Sequence, residues 1–159
     1  MIVAVLVRFM SRLTDFWALA VRFSAGFFWL YFASQRWFDV SWVKDLYITA
    51  AANNYIPLYG ELLRSLAGDW FTLAVVVTVA ETAIGFMMIL GVFPRVAGGL
   101  GALIAANLLL TFSFCDCPWN AADAPMVFWF YFSAALLNLA VLREQHKLLV
   151  LWRRPVRRS

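Results

Sequence analysis

Charge is what this sequence has least of. Of its 159 residues, 13 are lysine or arginine, 9 are aspartate or glutamate and 1 is histidine, so charged side chains make up 14% of the chain. An ordinary soluble domain is about 25% charged and about 45–50% apolar. Here 64% of the residues are hydrophobic and the mean hydropathy is +0.79. A solvated surface cannot be built from such a composition, and the chain reads as an integral membrane protein. The single histidine, His146, excludes bis-histidine haem ligation within the chain and leaves no metal-ligand set. Two cysteines are too few for a structural disulfide framework. There is no phosphate-cradling glycine loop and no flavin or dinucleotide fingerprint. The net charge of +4 does not point to nucleic acid, because the basic residues cluster at the chain ends and beside apolar runs.

What the chain does have is long apolar runs. Four are close to the roughly 20 residues that cross a hydrocarbon core: Phe16 to about Trp37, Trp70 to Phe93, Val96 to Phe114, and Ala124 to Leu142. The expected fold is an all-α membrane protein, one domain over residues 1–159, built as a four-transmembrane-helix bundle. Met1 to Val7 is too short to span and reads as an interfacial or partner-contacting segment, with Thr14 or Asp15 capping the first span. Phe38 to Asp69 is too polar to span. Its second half places Leu58, Tyr59, Leu62, Leu63 and Leu66 on one side and Glu61, Arg64 and Ser65 on the other. Pro57 stands where a helix start tolerates proline, so this is an amphipathic interfacial helix between the first two spans.

Lysine and arginine set the expected orientation. Arg8, Arg12, Arg95 and the basic tail, residues 143–159, fall on one side. The other has Arg36, Lys44 and Arg64, offset by acids. Both termini are therefore expected in the cytoplasm, with the protein in the plasma (inner) membrane and the tail on anionic lipid. Phe27, Phe28 and Trp29 read as facing lipid or packing partners.

One acid lies inside a span. Glu81 falls near the middle of the second apolar run, where an ionised carboxylate costs about 2.5–3.5 kcal/mol on insertion scales. It needs a partner, a proton or a water-filled cavity. Gly85 and Gly91 follow at spacings suited to close packing, and Pro94-Arg95 closes the run. Counted from the cytoplasmic end at roughly 1.5 Å per residue, Glu81 and Asn107 lie about 17–18 Å deep, Arg22 about 9 Å and Asn138 about 6 Å. Two polar layers are expected, Glu81 with Asn107 and Arg22 with Asn138, which Ser133 and Thr78 join or bridge. Side chains lean toward the N-terminus of their helix, so Arg22 and Glu81 lean apart, and a ligand's polar head or water fills the gap unless the arginine swings up. A register-fixing polar network is the alternative to a ligand or proton site.

These residues carry a family resemblance. Arg22, Gly26 and Gln35-Arg36 in the first span, the pattern E-x3-G-x5-G-x3-R met by Glu81, Gly85, Gly91 and Arg95, and the small-residue helix with Asn107 resemble the DoxX/DoxD family. That family includes the four-helix membrane subunit of thiosulfate:quinone oxidoreductase. The resemblance covers about residues 16 to 142. Ala33 stands where the family often has glycine, and Arg36 where it often has lysine.

The resemblance implies a subunit that passes electrons from a small, thiosulfate-like sulfur compound to quinone. Arg22, Asn107 and Asn138 would hold the quinone, Glu81 and Arg22 would act in proton exchange, and Arg36 with Arg64 would attract an anion. Quinone is the only cofactor expected, as a substrate, with no haem, flavin or metal. The partners are the lipid bilayer and other subunits. Cys115-Asp116-Cys117, at the outer end of the third span, reads either as a redox-active thiol pair or as a static local bridge. A non-catalytic anchoring subunit of a redox or photosynthetic complex and a thiol–disulfide carrier are the competing functions.

Overall fold

A computed structural model describes the backbone of residues 2–142 and the side chains of residues 16–120 and 125–142. The basic tail and His146 lie outside the described residues. Six α-helices follow in order: α1 Ile2–Phe38, α2 Trp42–Asn53, α3 Pro57–Leu66, α4 Trp70–Leu90, α5 Pro94–Phe112 and α6 Pro118–Leu142, with a 3-10 turn Ala67–Asp69 leading into α4. Four are long and apolar enough to cross a membrane, within Phe16–Phe38, Pro57–Leu90, Pro94–Phe112 and Pro125–Leu142. The all-helical fold with four candidate spans and a short helix between the first two is as expected.

Three boundaries differ from the sequence reading. The N-terminal run is not separate from the first span, since α1 is continuous from Ile2. Residues 2–16 contain neither proline nor glycine, so nothing stops the helix and no cap is used at Thr14 or Asp15. At 37 residues, α1 is about 55 Å long, well beyond a hydrocarbon core of about 30 Å. Second, the polar connection forms two short helices, because Trp42–Asn53 also coils. Third, Pro94 opens α5 at its first turn, so the third span begins before Val96. Gly91, expected to thin a helix face, instead ends α4. It takes the left-handed conformation at φ 70° while its N–H caps the carbonyls of Met87 and Met88.

The spans associate as two tight pairs. In the α1–α4 pair, a Cβ on Gly26 would lie 3.0 Å from the Gly85 carbonyl oxygen, and one on Gly85 would lie 2.9 Å from that of Gly26. In the α5–α6 pair, a Cβ on Gly98 would lie 2.8 Å from the Leu142 nitrogen. Small residues replace hydrophobic drive as the means of association in lipid, where apolar side chains gain nothing by leaving the solvent. The pairs meet through a core of Ala25, Trp29, Ile84, Met88, Ala97, Ala105, Ala134 and Val141. Trp29 ties them with a hydrogen bond of 2.9 Å from its ring N–H to Asn138 Oδ1.

At the end of the bundle away from Leu142, α2 and α3 form a lid. Asp39 Oδ1 accepts from the Ser41 N–H at 2.9 Å and hydroxyl at 2.6 Å, turning the chain out of α1, and these bonds hold the Asp39 carboxyl below the usual range. The buried Tyr47 hydroxyl of α2 donates to the Leu63 carbonyl of α3 at 3.0 Å. Burial, reinforced by Tyr59, pushes its pKa up, so it stays a donor. The turn between the two helices pairs with the α5–α6 loop: Tyr55 N–H donates to Phe114 O at 2.8 Å and Asp116 N–H to Asn53 O at 2.9 Å.

Gly101 gives a sharp test of the packing. Its Cβ would fall 2.8 Å from Asn138 Cγ and 2.9 Å from Trp29 Nε1. Gly101→Val is expected to lower stability in a detergent unfolding titration by about 1–3 kcal/mol, the usual cost of overpacking. Gly68→Ala, where nothing lies within 4 Å, is expected to leave the midpoint unchanged.

Candidate functional site

Glu81 is fully buried, and its counter-charge is Arg36, whose Nη2 forms an ion pair with Glu81 Oε2. The Arg36 Nε donates to Thr78 Oγ1 at 3.0 Å, and the Thr78 hydroxyl donates to the Ala74 carbonyl at 2.7 Å. Next to them Trp37 Nε1 donates to Thr82 Oγ1 at 2.9 Å, so the lid end of α1 is bolted to α4 by polar bonds. The Gly26–Gly85 contact shows why this arginine is the partner. The helices are antiparallel there, so Glu81 is level with about residue 30 of α1, and Arg36 stands about 9 Å further toward the lid. Arg36 leans back along α1 and Glu81 leans up along α4, each toward its own N-terminus, and the two arms close the gap.

The expected polar layers are corrected accordingly. Glu81 does not share a layer with Asn107. Asn107 Oδ1 accepts from the Tyr59 hydroxyl of the lid at 2.6 Å, and that hydroxyl also bonds Thr111 Oγ1 at 2.8 Å. Asn138 is saturated inside the core, by Trp29 and by its own Nδ2 donating to the Ala134 carbonyl at 2.7 Å. Arg22 is buried in α1 on the far side of the Gly26–Gly85 contact from Glu81. Thr78 bonds Arg36, which belonged to neither expected layer, and so does not bridge the two, while Ser133 faces outward. Arg36, read as an outside attractor of anions, is committed to Glu81.

Glu81, Arg36 and Asn107 do converge on one space. A cavity of about 580 Å³ opens between the two helix pairs beneath the lid, within the range of small-molecule sites. Its walls are mostly aromatic and aliphatic, among them Phe28, Trp29, Phe32, Trp70, Phe130 and Tyr131. Phe28, Phe32 and Phe130 form a mutual cluster with ring centroids 4.9–5.6 Å apart. Phe28 and Trp29 thus turn inward, and of the three aromatics read as facing lipid or packing partners only Phe27 points out. Two polar stations face the cavity, Arg36–Glu81 on the α1–α4 wall and Tyr59–Asn107–Thr111 on the lid–α5 wall. Arg22 and Asn138 line neither. Among the described residues, Glu81 Oε1 is buried and has no hydrogen-bond partner. Such an atom calls for a proton or a bound donor.

Cys115 and Cys117 are joined in a disulfide, each 1% exposed. They pack with Ala50 of α2, flanked by Phe112 and Trp119, and Asn120 Nδ2 donates to the Cys115 carbonyl at 2.9 Å. The bridge therefore stiffens the loop that carries the lid, and its sulfurs are shielded from an incoming thiolate, which favours the static reading. Among the described residues no group of three His, Cys, Asp or Glu side chains converges on a metal position. No family model, curated protein or solved structure matches the chain.

Two outcomes follow from this geometry. Arg36→Met leaves a buried carboxylate without its counter-charge and is expected to destabilise the fold by about 3–5 kcal/mol, whereas the double variant Arg36→Met, Glu81→Met recovers most of the loss. A double-mutant cycle from equilibrium unfolding measures it, and additive effects would show that the pair is not coupled. For the disulfide, a water-soluble reductant is expected to leave the folded protein oxidised for as long as the detergent-unfolded chain takes to be fully reduced. Alkylation and intact-mass measurement read this directly, and equal rates would contradict the burial.

Proposed function

We propose that the cavity binds a quinone and that the protein is a membrane subunit passing electrons to it from a small sulfur compound. The observation that carries the reading is the buried Arg36–Glu81 pair, with an unsatisfied carboxylate oxygen, on the wall of an otherwise apolar, aromatic-lined cavity. A flat ring with an oxygen at either edge matches two polar stations on facing walls. Arg36 and the side-chain amide N–H of Asn107 are the donors available to such oxygens, and Phe28, Phe32 and Phe130 offer ring faces to stack on. This reading moves the role expected of Arg22 to Arg36 and leaves Asn138 as a structural residue.

Reduction of a quinone takes up two electrons and two protons. In this reading the electrons come from oxidative coupling of two thiosulfate-like anions through a new S–S bond, the donor implied by the DoxX/DoxD resemblance. Partner subunits or the lid-side face hold that donor. Glu81 supplies protons to the ring oxygen on its side and is then recharged. The lysine and arginine distribution supports cytoplasmic termini and a lid on the outer side of the inner membrane. The thiol-carrier alternative loses support from the burial of both sulfurs. The anchoring alternative rests on outward aromatics such as Phe27, Tyr31 and Trp129, for which lipid contact is reason enough.

Short-chain quinone titrated into the detergent-solubilised protein is expected to quench the cavity tryptophans with saturable affinity. Asn107→Leu should weaken that binding about tenfold, a loss of about 1.4 kcal/mol. Glu81→Gln keeps size and hydrogen-bonding capacity, so it should bind within a few-fold of wild type yet lose most quinone turnover. Full turnover in a well-assembled Glu81→Gln protein would overturn the role of this carboxyl, and the absence of saturable quenching would overturn the site.

A further inference from the structure

Arg36 borders two spaces. Besides the large cavity, a smaller one of about 190 Å³ lies between α1 and α4 at the lid end, lined by Arg36, Trp37, Val40, Phe71, Val75 and Thr78. We propose that this second cavity is a proton port, through which Glu81 exchanges its proton with the aqueous phase on the lid side. The inference rests on the reading of Glu81 as a proton-exchanging group and adds the route and the side.

A carboxyl that gives its proton to a ligand must be refilled, and the ligand itself blocks the large cavity. Toward the termini the α1–α4 seam is shut. Gly26 and Gly85 bring the backbones together, Leu30 fills the groove within 2.8 Å of where a Gly85 side chain would begin, and Ile84 and Met88 are buried there. Between Glu81 and the level of Arg22, the buried side chains of that seam, Ala25, Ile84 and Met88, are apolar and offer water no partner. Toward the lid the seam opens into the small cavity, whose volume exceeds the roughly 30 Å³ per water several-fold. Its polar lining is the Arg36 guanidinium and the Thr78 hydroxyl, the two groups already bonded to each other beside Glu81. Trp37 and Phe71, both largely exposed, mark its mouth.

The step is a plain proton exchange. Glu81 lies behind the Arg36–Thr78 pair that lines the cavity, so a hydronium ion entering from the cavity must pass that pair before it gives its proton to the carboxylate and leaves as water, and the reverse releases it. Arg36 stays protonated throughout, since guanidinium does not titrate in proteins. It orders the water next to the carboxylate and is a positioning residue here.

The test uses the full-length protein in vesicles of one orientation. The infrared carboxyl band that Glu81→Gln abolishes reports the protonation of Glu81 after a pH jump on one side. The band is expected to follow lid-side pH and to ignore a jump on the terminal side. Val75→Trp fills the port from outside the ligand site, so it should slow that response at least tenfold and leave short-chain quinone affinity within twofold. Val75→Cys should react with a small charged thiol reagent added on the lid side, and the labelled protein should show the same slowing. That labelling carries the test if the tryptophan variant does not fold. A band that follows terminal-side pH, a folded Val75→Trp protein with wild-type exchange, or an unreactive Val75→Cys would each overturn the port. Sided exchange in a protein that binds no quinone would uphold the port and overturn the function proposed above.

Discussion

A carboxyl group in the middle of a membrane helix dictates much of this structure. Glu81 cannot be solvated by lipid, so the fold must bring a cation to it or leave it neutral. The cation is Arg36, and it arrives because α1 and α4 run in opposite directions. Every side chain on a helix leans toward that helix's start. Two antiparallel helices therefore bring together a residue placed nearer the lid on α1 and one placed deeper on α4. The same rule parts Arg22 from Glu81. The Gly26–Gly85 contact fixes the axial register in which the arms meet, and Thr78 fixes the guanidinium from the side.

That pairing was within reach of the sequence. The lean of side chains is applied there to Arg22 and gives the correct negative answer. Applied to Arg36 it gives the positive one, but Arg36 sits beside Gln35 and Trp37 at the end of an apolar run, where a headgroup role is the ordinary reading. The four spans were legible because lipid imposes a length and a hydropathy that nothing else in the chain satisfies. The amphipathic α3 was legible from its periodic leucines. Helix α2 was not, because Trp42–Asn53 has no clean apolar stripe, and its burial of Tyr47, Ala50 and Ala51 comes from contacts distant in sequence. The roles of Asn107 and Asn138 were also closed to depth counting, which gives a level and not a direction around the helix.

The cavity is the counterpart of the two tight pairs. Glycine on glycine draws α1 against α4, and Gly98 and Gly101 of α5 draw it against the α6 backbone and Asn138, while bulky rings on the facing sides of α1 and α6 keep the pairs from closing on each other near the lid. Trp29 and Asn138 lock the pairs below that level. Above it, Tyr59 reaches down from α3 to α5 and closes the roof with a hydroxyl that is at once latch and lining. The site is thus held open by aromatic volume and held shut by a few hydrogen bonds.

Chain order adds a consequence for how the protein is made. Synthesis runs from the N-terminus, and helices enter the membrane as they emerge. Arg36 closes the first span and so is already in place when α4 delivers Glu81, and the acid meets its cation on entry instead of waiting for one. The reverse order would leave a carboxylate stranded in the bilayer through the making of a whole hairpin. The roof comes last: the turn between α2 and α3 has nothing to pair with until the loop holding Cys115 has been translated. Biogenesis therefore settles the charge first and encloses the cavity only when the fourth helix is on its way.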